Sequence, residues 1–316
     1  MTSSAEAPPL YWAIFILAIL IFLALDLGVF HRHARTIRFR EALTWTVTWF
    51  GFAMLFGLAL APAVMRAWGR QQSVEFVTGY LIELSLSMDN VFVIALIFAY
   101  FRLPQAFQHR VLFWGILGAL FMRGVMIWLG VQLIHRFTVM FILLGLFLIY
   151  TGIKMLFFGG GEFHPEKNFA IRVTRKFFAV SSDFDGAQFL TRLNGRRALT
   201  PMALVLVTVE TSDLIFAVDS IPAIFAVTQD AFIVFTSNVF AILGLRSLYF
   251  VLAGAIRYFR YLKAGLSVVL VFIGVKMLLN RTVYQIPIGI SLLVVVGILV
   301  VSMLLSVLAA GKDPPR

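Results

Sequence analysis

Nine apolar runs, each long enough to cross the ~30 Å hydrocarbon layer of a bilayer, constrain this 316-residue chain more than anything else in it. They lie at about 10–30, 43–65, 74–101, 110–134, 137–158, 201–227, 231–256, 262–280 and 284–309. No water is present in hydrocarbon to satisfy backbone amides, so such runs must close their hydrogen bonds internally as helices. With 61% apolar and only 13% charged residues, the chain lies outside the composition of soluble domains. The fold class expected is all-α: a polytopic membrane helical bundle of about nine transmembrane helices. The first run has no basic segment before it and no small-residue cleavage site after it, so it reads as a retained anchor rather than a signal peptide.

Charge distribution supplies the topology. The loops at 31–42, 102–109, 159–200 and 257–261, the C-terminal tail and the helix ends beside them hold 18 Lys and Arg. The opposite side collects Arg66, Arg70, Arg136 and Arg281. That asymmetry predicts a multi-pass membrane protein with its N-terminus outside and its C-terminus in the cytoplasm. The net charge of +11 is then topological, with the lipid bilayer as partner and no nucleic acid. The absence of cysteine removes disulfides, thiolate metal sites and dithiol redox chemistry.

Two apolar runs carry carboxylates where lipid should be: Glu83, Asp89 and the neighbouring Asn90 in one, Glu210, Asp213 and Asp219 in the other. An ionisable group near the bilayer centre costs ~2.5–3.5 kcal/mol on insertion scales, so five of them demand partners or a function. At 100° per residue Glu83, Ser87 and Asn90 share one helix face, whereas Asp89 lies about 120° from Glu83. Glu210 and Asp213 are about 60° apart, and Asp219 is again about 120° from Asp213. Pro222 has no amide proton for the Val218 carbonyl, so the helix is expected to kink or unwind just past Asp219 and turn it inward.

Sliding the chain by about 123 residues places Asn90 on Asp213 and Arg123 on Arg246; one residue less superposes Gly152-Ile-Lys-Met-Leu156 on Gly274-Val-Lys-Met-Leu278. Two three-helix units joined by a loop on one side enter the membrane from opposite faces, an inverted repeat with its site near the midplane. The organisation expected is two N-terminal helices in 1–73, a first repeat in 74–158, a loop in 159–200, a second repeat in 201–281, and a last helix with a short tail in 282–316. The loop opens with Gly159-Gly-Gly161 and carries Phe169, Val173, Phe177 and Val180 at helical spacing beside Arg172, Arg175 and Lys176, the pattern of an amphipathic segment on an anionic membrane surface.

Carboxylates, an amide, hydroxyls and loosened carbonyls are ligands for hard cations such as Mg²⁺, Ca²⁺ and Mn²⁺. No histidine lies mid-span, which disfavours zinc or copper. The metal site expected is Glu83, Asp89, Asn90, Glu210, Asp213 and Asp219. Arg123 and Arg246 are charge partners or gating groups that could hold the acids when the site is empty. Five acids against two arginines leave three negative charges if all are ionised, and a divalent ion would reduce this to one. The alternative is that these charges pair and lock helices together. Lys154 and Lys276 fall near span ends, where snorkelling explains them. With Leu96 opposite Asp219 in the repeat, Asp213 and Asp219 are expected to matter at least as much as Asp89.

Glu83-Leu-Ser-Leu-Ser-Met-Asp89-Asn90, Glu210-Thr-Ser-Asp213-Leu-Ile-Phe-Ala-Val-Asp219-Ser-Ile-Pro222 and Ser237-Asn-Val-Phe-Ala-Ile-Leu-Gly-Leu-Arg246-Ser-Leu-Tyr249 resemble the TerC family of integral membrane proteins. The resemblance runs from Asp26-Leu-Gly-Val-Phe-His31 to about residue 280, and the loop around Arg175 to Phe178 and Asp183 to Asp185 is similar to that of the Alx-type branch. It implies a polytopic inner-membrane protein, a manganese exporter responsive to alkaline conditions, in a family first named for tellurium resistance. Acidic residues of the first motif are implicated in transport, which maps onto Glu83 and Asp89, joined by Asp213 and Asp219 of the second. The function expected is therefore export of Mn²⁺, with Ca²⁺ or Mg²⁺ sharing the ligand chemistry, protons as candidate coupling ion and no covalently bound cofactor. The competing reading is a membrane scaffold or assembly factor without transport. An anion carrier for tellurite would need a positive site, and an intramembrane enzyme would need a nucleophile with its base; neither pattern is present.

Overall fold

The computed structural model describes residues 7–25, 39–158, 169–181, 183–193, 195–253, 261–279 and 286–310. Its elements are α1 (Pro9–Leu25), α2 (Phe39–Leu55) running through a π-helical turn (Phe56–Leu60) into α3 (Ala61–Val64), α4 (Arg70–Tyr100), α5 (Gln105–Arg136), α6 (Thr138–Phe158), α7 (Phe169–Phe177), a hairpin of β1 (Leu190–Leu193) and β2 (Arg196–Leu199), α8 (Pro201–Phe225), α9 (Ala231–Ala253), α10 (Leu262–Leu279) and α11 (Ile288–Ala310). The Asp26–His31 segment, the Gly159–Gly161 opening and the basic residues at 32–38, 167, 257–260, 281 and 312–316 lie outside the described residues.

Each apolar run forms helix through its body, and the chain is a polytopic helical membrane protein. Among the described residues seven helices are long and apolar enough to span: α2 with its continuation, α4, α5, α6, α8, α9 and α11. The sequence suggested about nine. Of the remaining two, α1 is a shorter apolar helix, and α10 carries Lys263 and Lys276 within its 18 residues.

Four helices make the centre. α4 packs along α9 and α8, and α5 along the same two. α9 is buried along nearly its whole length, whereas α6 and α11 turn most of their surface outward, as helices facing lipid do. The face of α9 that meets α1, α2 and α4 is aromatic: Phe232 and Phe240 lie against Phe15, Phe56 and Phe76 at centroid distances of 5.1–6.0 Å where these rings pair. The π turn exists because its freed carbonyl is captured: Gly57 O accepts from Ser73 Oγ (2.8 Å) and Trp68 Nε1 (3.2 Å). Gly57 itself leaves room for the Phe76 ring, which would collide with any Cβ there.

α6 and α10 pack on each other more closely than any other pair. A Cβ on Gly274 would stand 2.7 Å from the Gly145 carbonyl oxygen, and one on Gly152 would stand 2.8 Å from that of Ser267. Backbones this near are the usual reward of small residues at helix crossings in a membrane. The 122-residue offset carries 145 onto 267 and 152 onto 274, so each of these contacts is the other's image.

Three sequence expectations are corrected. α8 is not interrupted past Asp219: it continues to Phe225, because Pro222 withholds its amide from the Val218 carbonyl alone and the ladder resumes behind it, Ala226 N reaching Pro222 O at 3.2 Å. In the loop, the buried residue among the described side chains of α7 is Ile171, while Phe177 is 72% exposed, and an antiparallel hairpin follows it. Lys276 is not snorkelling but buried, facing Glu75 of α4; Lys154 is exposed and rests on the Tyr150 ring at 5.9 Å.

Overpacking a closed seam costs about 1–3 kcal/mol. Gly274→Val is therefore expected to lower the unfolding midpoint of the detergent-purified protein, and Gly51→Val, which meets nothing within 4 Å, to leave it unchanged.

Candidate functional site

At the middle of the four central helices an arginine occupies the place where carboxylates converge. Arg123, on α5, is 1% exposed, and Glu83, on α4, is wholly buried. The guanidinium is planar with donors in a fixed fork, and every side of the fork is used. Nη2 donates to Asp213 Oδ1 at 2.9 Å and Nε to Asp213 Oδ2 at 3.2 Å, a bidentate clamp on the middle of α8. Nη1 donates to Glu83 Oε1 and, at 3.3 Å, to Asn238 Oδ1 on α9. One side chain thus ties all four helices together.

The remaining polar groups of the cluster come from helical spacing. Glu83, Ser87 and Asn90 follow one another at i, i+4 and i+7 on the face of α4 that meets α8. Asn90 Nδ2 donates to Asp213 Oδ1 at 3.3 Å, and Ser87 Oγ to Glu83 Oε1 at 3.5 Å. Glu210, one turn before Asp213, lies within electrostatic reach of it and is pressed so closely on Gly118 of α5 that any side chain there would displace it.

The sequence-derived site is therefore divided. Glu83, Asn90 and Asp213 meet at Arg123, with Glu210 beside them. Asp89 and Asp219 do not join them: each points to a different outer helix. Asp89 faces Lys263 of α10, and Asp219 faces Thr151 of α6 with Lys154 nearby. Arg246 lies half-buried on α9, and the contacts that fasten Glu83 and Asp213 come from Arg123. Among the described residues no three carboxylates or histidines close into a metal cage. Asn238 is the residue given no role from sequence, although it sits in a quoted motif; the polar run Thr236-Ser237-Asn238 inside an apolar span is the available signal.

Four polar atoms here have no hydrogen-bond partner: Glu83 Oε2, Asn90 Oδ1, Glu210 Oε2 and Asn238 Nδ2. Leaving a buried polar atom unpaired costs about 1–3 kcal/mol, so three unused oxygens around one cluster are an unusual concentration. Carboxylate and amide oxygens in that state are what a hard cation binds.

Removing one partner of a buried ion pair is expected to cost about 3–5 kcal/mol. Arg123→Gln should destabilise the purified protein by that order, and adding Glu83→Gln and Asp213→Asn should recover most of the loss in thermal unfolding. Equal losses in the single and triple variants would separate Arg123 from the acids.

Residues 68–313 match the model of the integral membrane protein TerC family. The chain is 48% identical over 313 residues to the membrane protein STKORF319 of Myxococcus xanthus, covering 99% of this chain and 97% of that one. It is 45% identical over 303 residues to Alx of Escherichia coli (strain K12), designated a candidate membrane-bound redox modulator, with 94% of each chain covered. A membrane protein of Rickettsia bellii is 38% identical over 297 residues, covering 94% of this chain and 97% of that one. No solved structure matches. With a family match over most of its length and relatives aligned nearly end to end, the chain belongs to the TerC family of integral membrane proteins.

Proposed function

We propose that this protein is a secondary transporter that exports a hard divalent cation, Mn²⁺ by preference, through the Arg123 cluster. One observation carries the reading: carboxylate and amide oxygens left without hydrogen-bond partners surround a buried arginine that is itself a cation. In the ion-free state the single guanidinium offsets one of the two negative charges of Glu83 and Asp213. An entering divalent ion replaces one positive charge by two and so balances both. Glu83, Asn90, Glu210 and Asp213 are the ligands, Asn238 holds Arg123 in register, and Asp89 and Asp219 line the path where the central helices meet α10 and α6.

The proposal includes an inverted relation between α4–α6 and α8–α10. The exchanged contacts Gly145–Gly274 and Gly152–Ser267 support it, as does Asn90 bonding its own counterpart, Asp213. Such repeats meet at a midplane site, and alternating access follows from moving one part against the other. The basic asymmetry supports an inner-membrane orientation with the C-terminus cytoplasmic. The redox designation of the Alx relatives fits: a chain without cysteine supplies no thiol couple, whereas a manganese exporter sets the level of a redox-active ion.

The closed pairing at Arg123 also favours a second reading, a membrane scaffold whose charges serve only helix packing. Flux separates the two. Reconstituted protein is expected to carry Mn²⁺ into proteoliposomes, faster with a proton gradient. Glu83→Gln and Asp213→Asn should cut the rate at least tenfold at equal insertion, a loss of ~1.4 kcal/mol or more in barrier terms. A scaffold moves no divalent ion and answers the same substitutions with lower abundance.

A further inference from the structure

The hairpin between α7 and α8 carries an arrangement that the transport reading does not use. Its strands are antiparallel with Arg192 directly opposite Arg197, so two guanidiniums stand side by side on the same face. Like charges in directly opposed positions oppose the pairing of the strands. Neither arginine makes an ion pair or hydrogen bond among the described residues, and both are exposed. The opposite face of the hairpin is the packed one, where Ala198 is 2% exposed.

The two arginines border a cavity of about 480 Å³ with Asp185, Gln188, Leu190 and Thr191. The single carboxylate on that wall is already engaged, Asp185 Oδ2 accepting from Thr191 Oγ1 at 2.7 Å, so the two guanidiniums leave the wall positive. The frame is fixed before any ligand arrives. Gly195, at φ +78°, takes the left-handed conformation the turn needs, Thr200 Oγ1 donates to Gln188 O at 2.6 Å, and Arg110 of α5 lies over the Phe189 ring at 5.6 Å.

We propose that this cavity binds a phosphate group, gripped by Arg192 and Arg197 with Gln188 as a further donor. Paired forks of N–H donors match phosphate oxygens bidentately, which a single point charge does not. The like-charge pair is then the cost of a site that only an anion relieves. Phosphate chemistry could come from a soluble phosphate or from a phospholipid headgroup. Arg197 is four residues before Pro201, the first residue of α8, so the headgroup region is within about 14 Å of extended chain.

The test is thermal unfolding of the full-length protein in a phosphate-free neutral detergent, titrated in separate arms with inorganic phosphate at matched ionic strength and with dioleoyl phosphatidylglycerol. Dioleoylglycerol is the phosphate-free lipid control. At least one phosphate-bearing probe should raise the midpoint, with an apparent Kd at least tenfold weaker in Arg192→Gln/Arg197→Gln and unchanged in Arg136→Gln. Stabilisation by inorganic phosphate identifies a soluble ligand, and stabilisation by the phospholipid alone a headgroup. If the double glutamine variant does not fold, Arg192→Lys/Arg197→Lys carries the test, since it keeps the charge and loses the fork. The proposal is overturned if neither probe stabilises the protein, if the double variant responds as the parent does, or if Arg136→Gln loses the response equally.

Discussion

The clamp of Arg123 on Glu83 and Asp213 is the interaction on which the centre of this protein depends. Three charges are taken out of water at the crossing of α4, α5, α8 and α9, and their desolvation is offset only if the geometry is good and the forks are filled. The bidentate bond to Asp213 and the contacts to Glu83 and Asn238 meet that condition on the arginine's side. On the acids' side it is met incompletely, since Glu83 Oε2 and the neighbouring Glu210 Oε2 have no partner. A purely structural cluster would be expected to use all its oxygens. One poised to exchange an internal cation for an external one would not.

The clamp also explains why the outer helices can differ so much from the inner ones. α4 and α5 run 31 and 32 residues and are held at their middles. α6 and α10 are shorter, close on each other through glycines, and meet Asp219 and Asp89, which stand apart from the Arg123 cluster. In the proposed transport cycle a tightly seamed pair that makes no bond to Arg123 is the natural candidate for the part that shifts.

Much of this was legible in the sequence, for physical reasons. Hydrocarbon thickness fixes helix length, so the spans could be read from apolar runs, and the cost of mid-membrane charge singled out the acids and Arg123. Periodicity correctly put Glu83, Ser87 and Asn90 on one face. What periodicity cannot supply is the neighbour each face meets, so Asp89 and Asp219 were expected in the cluster and lie against α10 and α6 instead. The repeat made Arg123 and Arg246 appear equivalent, but the clamp on Glu83 and Asp213 comes from Arg123. Pro222 was weighed as a breaker, although it withholds its amide from the Val218 carbonyl alone. The hairpin was missed even though Asn194-Gly195 is a turn signal, because Arg196 and Arg197 follow it and strands of four residues give too little alternation to read.

The central claim is that Arg123 and the transported ion compete for the same oxygens, and equilibrium binding of Mn²⁺ to the purified protein, followed by the electron paramagnetic resonance of the free ion, tests it most directly. The account predicts one bound ion per chain, lost in Asp213→Asn and bound more tightly in Arg123→Gln, where the internal competitor is gone. Binding that is absent from the parent protein, or weakened by Arg123→Gln, would contradict it.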